Sequence, residues 1–349
     1  MVARSRAEGK NIMTAYSIAI VGATGLVGST TLAILEQRNF PVKNLHLLAS
    51  HQSAGEKRYF RNQEYTVQDL AEFDFRESEI CFFSVSNALT AEYAPLAVEH
   101  GNIVIDKSSH YRYDKNIPLV IPEVNKSALA SYQNKKIIAN PNCNVVPIAV
   151  ALKPIDDAVG ILRMNVATYQ SVSGTGKNAV EELKNQAVQI LANQPVESRV
   201  YPQQIAFNVL PHCDAFEENG YTREEMKVVW EMRKIFNNPH LQINPTTVRV
   251  PVFYGHSAAV HIETKHKMTA KEAEALLAQA PGVKLISGQY PYPTPIHDAA
   301  GKDLVFVGRI REDISHDKGL NFWIVTDNLR KGAALNAVQV AECLVEEYL

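Results

Sequence analysis

The sequence predicts an α/β chain in two parts: a doubly wound parallel sheet, then an α+β part with a mostly antiparallel sheet. Three observations predict it. Short β-rich apolar runs alternate with helical periods as far as about residue 140, which is the pattern of βαβ units and a parallel sheet. Beyond that point, runs alternating apolar and polar residues follow one another with few helices between, which points to an antiparallel sheet with one covered face. A length of 349 residues, 46% hydrophobic and 21% charged, is enough for two such units with sizeable cores.

The elements follow in order. Residues 1–13 are basic and polar with no apolar stretch ahead of a cleavage site, so they read as a disordered extension, or as residues ahead of a second start at Met13, rather than a secretory signal. Tyr16–Val21 is the first strand, and residues 29–37 carry a helical period in phase with Val27, Leu32 and Leu35. Strands are expected at 44–49 and 80–85, a helix at 88–100, and short strands at 103–106 and 137–139. In the second part strands are expected at 163–171, 246–252, 258–264, 303–310 and 319–326, with helices at 177–191, 222–236 and 269–279. Thr269 with Glu272 three residues on forms a capping box for the last of these. Residues 330–347 are an apolar-periodic helix. No internal repeat and no Gly/Ser or Pro linker marks a boundary.

Composition excludes several function classes. With 35 Lys+Arg against 37 Asp+Glu the net charge is −2, so there is no basic footprint for nucleic acid. No apolar run reaches the roughly 18 residues that span a bilayer. The four cysteines form no C-x-x-C pair, which implies neither a metal site nor a disulfide framework and fits a reducing, cytoplasmic compartment.

Gly22-x-x-Gly25-x-x-Gly28 lies between the first strand and the first helix. Glycines there let the chain turn sharply and let a pyrophosphate approach the helix N-terminus, where free N–H groups favour an anion. The context makes this a Rossmann-like dinucleotide site, with Gly22, Thr24, Gly25, Leu26, Val27 and Gly28 as expected contacts. The second strand ends in Ser50-His51-Gln52-Ser53 with no acid until Glu56, and Lys57, Arg58 and Arg61 follow. Without an acid for the ribose 2′-OH, and with hydroxyls and bases nearby, NADP is favoured over NAD.

Cys143 is the candidate nucleophile. It lies in Asn140-Pro-Asn-Cys-Asn144, just past a strand end, where open α/β sheets place their ligands. The neighbouring asparagines are candidate oxyanion donors. Cys81 and Cys343 lie in apolar segments and read as packing residues, while Cys213 has polar neighbours and stays a rival. A thiol beside a nicotinamide adds to an aldehyde, and oxidation of the adduct leaves a thioester. His256 follows a strand and a glycine and is the candidate acid/base.

The chain resembles the aspartate-semialdehyde dehydrogenases. The resemblance covers almost everything after Met13 and rests on GATGLVG, SAGEK, DKSSHYR, NPNCN, ATYQSVSGTGKNAVEEL, FNVLPHCDAF, GYTREEMK, VRVPVFYGHS and DNLRKGAALNAVQVAE, in that order. It implies NADPH-dependent reduction of aspartyl 4-phosphate to aspartate 4-semialdehyde, on the route to lysine, threonine and methionine. In reverse, inorganic phosphate attacks a Cys143 thioester. It also implies that His256 is the acid/base, Gln170 orients the substrate, and Arg249 grips the substrate carboxylate. Arg112 and Lys227 would bind phosphate with Asn142 beside them, and Glu224 would contact the substrate amine. Ser173, Gly174 and Asn328 would contact the cofactor, together with Ser50, Gln52 and Ser53. The implied division is 14–140 with 328–349 as the NADP domain and 141–327 as a catalytic and dimerisation domain, in a homodimer or homotetramer.

Two departures stand out: Gln52 replaces an arginine frequent in the family, and Asn144 follows the cysteine where Thr or Ser is common. The alternatives are an N-acetyl-glutamyl-phosphate reductase, whose cysteine usually lies in Gly-Cys-Tyr-Pro, and a non-catalytic NADP-binding sensor. The sensor would explain the glycine loop but not Cys143, Gln170, Arg249 and His256 together.

Overall fold

The computed structural model describes residues 14–349; the expected extension at 1–13 lies outside the described residues. β1 (Tyr16–Val21), fully buried, leads through the glycine loop into α1 (Leu26–Gln37) and then β2 (Val42–Ala49). A hairpin of β3 (Lys57–Phe60) and β4 (Gln63–Thr66) follows, then the two-residue β5 (Gln68–Asp69). β6 (Ile80–Phe83), α2 (Asn87–Glu99), β7 (Ile103–Asp106), the single turn α3 (Pro122–Asn125) and β8 (Ile137–Ala139) complete the first sheet. Its order is β5-β2-β1-β6-β7-β8, all parallel. The chain leaves β1 towards β2 on one side and resumes at β6 on the other. A crevice therefore opens between the carboxyl ends of β1 and β6.

α4 (Val145–Val159) begins two residues after Cys143. The sequence pattern is silent about it, for a physical reason. Nine of its fifteen residues are buried, Val145 to Leu152 without interruption, and the polar stripe of Lys153, Asp156 and Asp157 is confined to the last turns, so the first half gives no helical signal. Pro147 and Pro154 also read as breakers, although Pro147 lies in the first turn, where its missing N–H costs nothing. One core runs from Val104 and Ile137 of the first sheet through α4 to Val166, Ile262 and Ile324 of the second.

The second sheet is mixed. β9 (Ile161–Gln170), β11 (His256–Thr264), β14 (Gly319–Thr326) and β13 (Val305–Glu312) pair antiparallel. β10 (Gln242–Arg249) and β12 (Val283–Leu285) add in parallel at the two edges. The long crossover between β9 and β10, containing α5 (Lys177–Leu191) and α6 (Arg223–Ile235), is what a parallel neighbour requires. β10 stops at Arg249, short of the expected 252, because Pro251 has no N–H to offer the ladder. α7 (Ala270–Leu277) carries the expected capping box, and α6 carries a second one, between Thr222 and Glu225.

α8 (Leu335–Glu347) returns to the first sheet. Its Leu335, Val338, Ala341 and Leu344 share a core with Ile18, Ile20, Leu47 and Phe82. Among the described residues no helix is long and apolar enough to cross a membrane.

Candidate active site

The carboxyl ends of β6, β7 and β8 meet the end of the mixed sheet where β9 and β10 finish, around a cleft of about 470 Å³. Parallel pairing sets Gln170 directly beside Arg249 at the last register position of β9 and β10. Antiparallel β11 begins at the same end with His256. One end of one sheet thus carries three of the residues singled out in the sequence, and α4 brings the fourth, Cys143, from the other sheet.

Cys143 Sγ lies 3.3 Å from His256 Nε2. The ring is buried, and its Nδ1 faces two groups of Ser171, the backbone N–H and the hydroxyl, each at 3.0 Å. The N–H donates to an unprotonated Nδ1. A backbone N–H can only donate, so the resting neutral ring carries its proton on Nε2, facing Cys143; the Ser171 hydroxyl, which donates to Asn328 Oδ1, can accept from Nδ1 once that nitrogen is protonated. Burial and the Arg249 cation hold His256 well below its ordinary range, so the ring is neutral at rest. Burial also pushes the Cys143 thiol up to about 12 and the Glu224 carboxylate adds to it, while Arg249, Arg112 and Lys227 pull the other way.

The resting pair is therefore thiol and imidazole, not thiolate and imidazolium. Iodoacetamide alkylation of Cys143, followed by mass spectrometry, should climb about tenfold per pH unit from pH 7 to 9. A plateau below pH 8 would reveal a preformed ion pair instead.

Two arginines line the cleft, each with several N–H groups that no partner takes up among the described residues. Arg249 is 7% exposed, and its NH1 donates to the Ser171 carbonyl at 2.8 Å. Arg112 is 6% exposed and donates to Glu231 and the Lys107 carbonyl. In both, the buried Nε has no partner among the described residues. Both Nε atoms are sealed from the cleft, so an anionic ligand there would meet the arginines at the N–H groups that their terminal nitrogens keep free.

Helix α6 faces this loop with a stripe of charges. Glu224 accepts from Asn142 and Asn144, and against the penalty of burial Lys227 and Asn142 hold it below the usual carboxylate range. Lys227 Nζ donates to Glu224 and Asp214 at 3.0 and 2.7 Å, leaving one of its three protons. The asparagines differ from the sequence reading. Asn140 turns its amide to the Pro141 carbonyl, and Asn142 and Asn144 turn theirs to Glu224, so these donors shape the loop rather than await an oxyanion.

On the cofactor side, Val27, Ser173, Gly174 and Asn328 line the same cleft. The other loop residues, Gly22, Thr24, Gly25, Leu26 and Gly28, do not line it, and neither do Ser50, Gln52 and Ser53 just past the end of β2. The loop fits a dinucleotide. Gly22 has φ +87° and sits against the Ser84 carbonyl across the crevice. A Cβ on Gly28 would lie 2.1 Å from the Gly22 carbonyl oxygen. Gly28→Ala should therefore lower cofactor affinity by about tenfold or more and destabilise the fold by about 1–3 kcal/mol; unchanged cofactor fluorescence titration and melting would show that the loop can give way.

The bases after β2 are held in the hairpin. Lys57 pairs with Glu64 and Thr66, Arg58 with Glu56, and Arg61 donates to the Phe40 carbonyl. Asp69, whose strand joins the end of β2, is taken up by His51 and the Ala71 N–H.

Sequence reasoning missed Ser171, Lys107, Asp214 and Glu231. Lys107 stands in the same DKSSHYR run as Arg112, lines the cleft, and is brought down to about 7 by burial, against the pull of Asp106. Glu231 had a signal: it lies seven residues after Glu224 and four after Lys227, on one helical stripe. Cys213 is buried and does not line the cleft.

Residues 17–132 match the family described as semialdehyde dehydrogenase, NAD binding domain, and residues 152–331 match its dimerisation domain. A relative from Legionella pneumophila called aspartate-semialdehyde dehydrogenase is 58% identical, over 95% of this chain and 96% of its own. Aspartate-semialdehyde dehydrogenase 2 of Vibrio cholerae is 53% identical, over 95% of this chain and 98% of its own. A crystal structure of aspartate semialdehyde dehydrogenase II from Vibrio cholerae, complexed with ASA, superimposes with a TM-score of 0.95 at 52% identity, over 96% of this chain and all of that one. A probable aspartate-semialdehyde dehydrogenase from Pseudomonas aeruginosa gives 0.92 at 33% identity, over 96% and 100%. With near-complete coverage at these identities, the chain belongs to the aspartate-semialdehyde dehydrogenase family.

Proposed function

We propose that the chain catalyses, with NADPH, the reversible reductive dephosphorylation of L-aspartyl 4-phosphate to L-aspartate 4-semialdehyde. The observation that carries this reading is the Cys143–His256 contact at 3.3 Å, in a cleft that Arg112 and Arg249 also line. In the oxidative direction the Cys143 sulfur adds to the aldehyde carbon. His256 moves the proton between the sulfur and the substrate oxygen through Nε2, and the Ser171 hydroxyl accepts from Nδ1 in the tautomer this requires. The nicotinamide, when bound, supplies the two-electron exchange with the substrate carbon. Cys143 is left as the thioester, which phosphate cleaves to regenerate the thiol.

The remaining residues hold the two ends of the substrate and the phosphate. Arg249 receives the carboxylate as a planar fork, and Gln170 beside it orients the reacting group. Glu224, ionised and on the cleft, receives the substrate ammonium, since a carboxylate accepts more bonds than the protein makes to it. Arg112 and the third proton of Lys227 receive phosphate, beside Asn142. An acylated amine would gain nothing from an ionised Glu224, which disfavours the N-acetyl-glutamyl-phosphate reductase reading. NADP rather than NAD is favoured because the end of β2 offers Ser50, Gln52 and Ser53, and Asp69 is already engaged. The open face of the mixed sheet, with Leu162, Tyr169 and Trp323 on strands β9 and β14, is the proposed dimer surface, and the cytoplasm the proposed compartment.

The test is NADP⁺ reduction with aspartate semialdehyde, with and without inorganic phosphate. Steady NADPH formation that requires phosphate supports the thioester route and the acyl-phosphate product. Folded protein that binds NADP⁺ and stays silent with this aldehyde defeats the proposal.

A further inference from the structure

Glu231 is buried on α6, with no exposed surface. Each of its oxygens has a distinct task. One accepts from Arg112 NH1 at 2.9 Å, and the other from the backbone N–H of Asn142 at 2.6 Å, one residue before the nucleophile. One turn further along α6, Lys234 Nζ donates to the backbone carbonyls of Arg112, Asp114 and Ile117 at 2.7–2.8 Å. Arg112 is thus held by the same helix at its backbone and at its guanidinium. NH2 is fixed by the Lys107 carbonyl, which leaves one N–H on each terminal nitrogen beside the buried Nε.

We infer that Glu231 is a positioning residue for the phosphate step: it sets the Arg112 guanidinium relative to the Cys143 thioester. This rests on the reading of Arg112 as a phosphate ligand. The geometry supports a positioning role over a merely neutralising one. A counter-ion alone would need one contact to the arginine, whereas Glu231 also ties that arginine to the nucleophile loop through a second, short bond to Asn142, 89 residues before Glu231 in sequence. A buried guanidinium with one bond at each terminal nitrogen is locked in plane and presents its remaining N–H groups in fixed directions, and a fork that must be re-ordered for each phosphate loses that advantage. Because the other face of the loop is held separately by Glu224 through Asn142 and Asn144, the thiol keeps support when Glu231 is altered.

The test compares Glu231→Gln with the unaltered full chain. Without phosphate, a single turnover of aspartate semialdehyde and NADP⁺ reports thioester formation; with phosphate, steady-state kcat/KM for phosphate reports its cleavage. Glu231→Gln should lower kcat/KM for phosphate by about tenfold or more while the single-turnover rate changes by less than about threefold. In an Arg112→Lys background it should add little. If both rates fall together, Glu231 supports the loop in general and the inference is wrong. A tighter KM for phosphate at unchanged kcat would make Glu231 a competing counter-ion, which also overturns it. If Arg112→Ala leaves the phosphate dependence untouched, it is the reading of Arg112 that fails. Should Glu231→Gln not fold, Glu231→Asp keeps the charge on a shorter arm and should show the same split, smaller in size.

Discussion

Replacing Cys143 with alanine should lower turnover by about 10⁴-fold or more, because no other group can form the covalent intermediate. Cofactor binding should change by less than about twofold, since the glycine loop hangs on a different strand. The fold should barely notice the change. Alanine keeps the Cβ of residue 143, and it is this Cβ that Gly332 approaches, with room for only a hydrogen between them: a Cβ on Gly332 would lie 3.2 Å away. The lost Sγ faces the cleft and His256 rather than the core, so stability should shift by no more than about 1 kcal/mol. Steady-state assays, a cofactor titration and a thermal melt on the same preparation check all three. Activity surviving in this variant would move the nucleophile to Cys213, although Cys213 is 2% exposed and burial raises its thiol too.

Arg249→Lys should reduce kcat/KM by about 10²–10³-fold, which corresponds to about 3–4 kcal/mol. Two losses combine. An ammonium cannot present two parallel donors to a carboxylate. It also cannot keep the 2.8 Å bond to the Ser171 carbonyl while reaching the substrate, and Ser171 is the residue that cradles His256. There is little slack to adapt: an added Cβ at Gly174 would lie 3.0 Å from Arg249 NH1 and 3.1 Å from the His256 ring. The pH profile separates geometry from charge. The Arg249 cation helps to hold His256 below its ordinary range. Lysine keeps that cation, so the acid limb should stay in place while the rate falls; Arg249→Met removes it, and the limb should move to higher pH. Near-normal kinetics in Arg249→Lys would show that Arg249 does not hold the carboxylate.

The sequence determined the parts that depend on local rules. A glycine loop between a strand and a helix needs only short-range sterics, so Gly22 and Gly28 were legible with their purpose. Alternating strands, the Thr269 capping box and the thiol past a strand end follow from period and position along the chain. The run of motifs from GATGLVG to the last helix carried the family and, with it, residues such as Glu224 and Lys227 whose bland reading is a surface ion pair. In the fold that pair is on the cleft, and Glu224 is buried.

Only the tertiary structure decided which groups meet and what state they are in. Cys143 and His256 are 113 residues apart, and their contact exists because α4 packs between the two sheets. That helix was silent in the sequence because its first half, Val145 to Leu152, is apolar and buried throughout and two prolines read as breakers. The protonated resting thiol, the orphaned arginine donors and the two tasks of Glu231 are likewise products of burial. Desolvation and unmet hydrogen bonds are properties of a packed environment, and that environment is assembled from residues far apart in the chain.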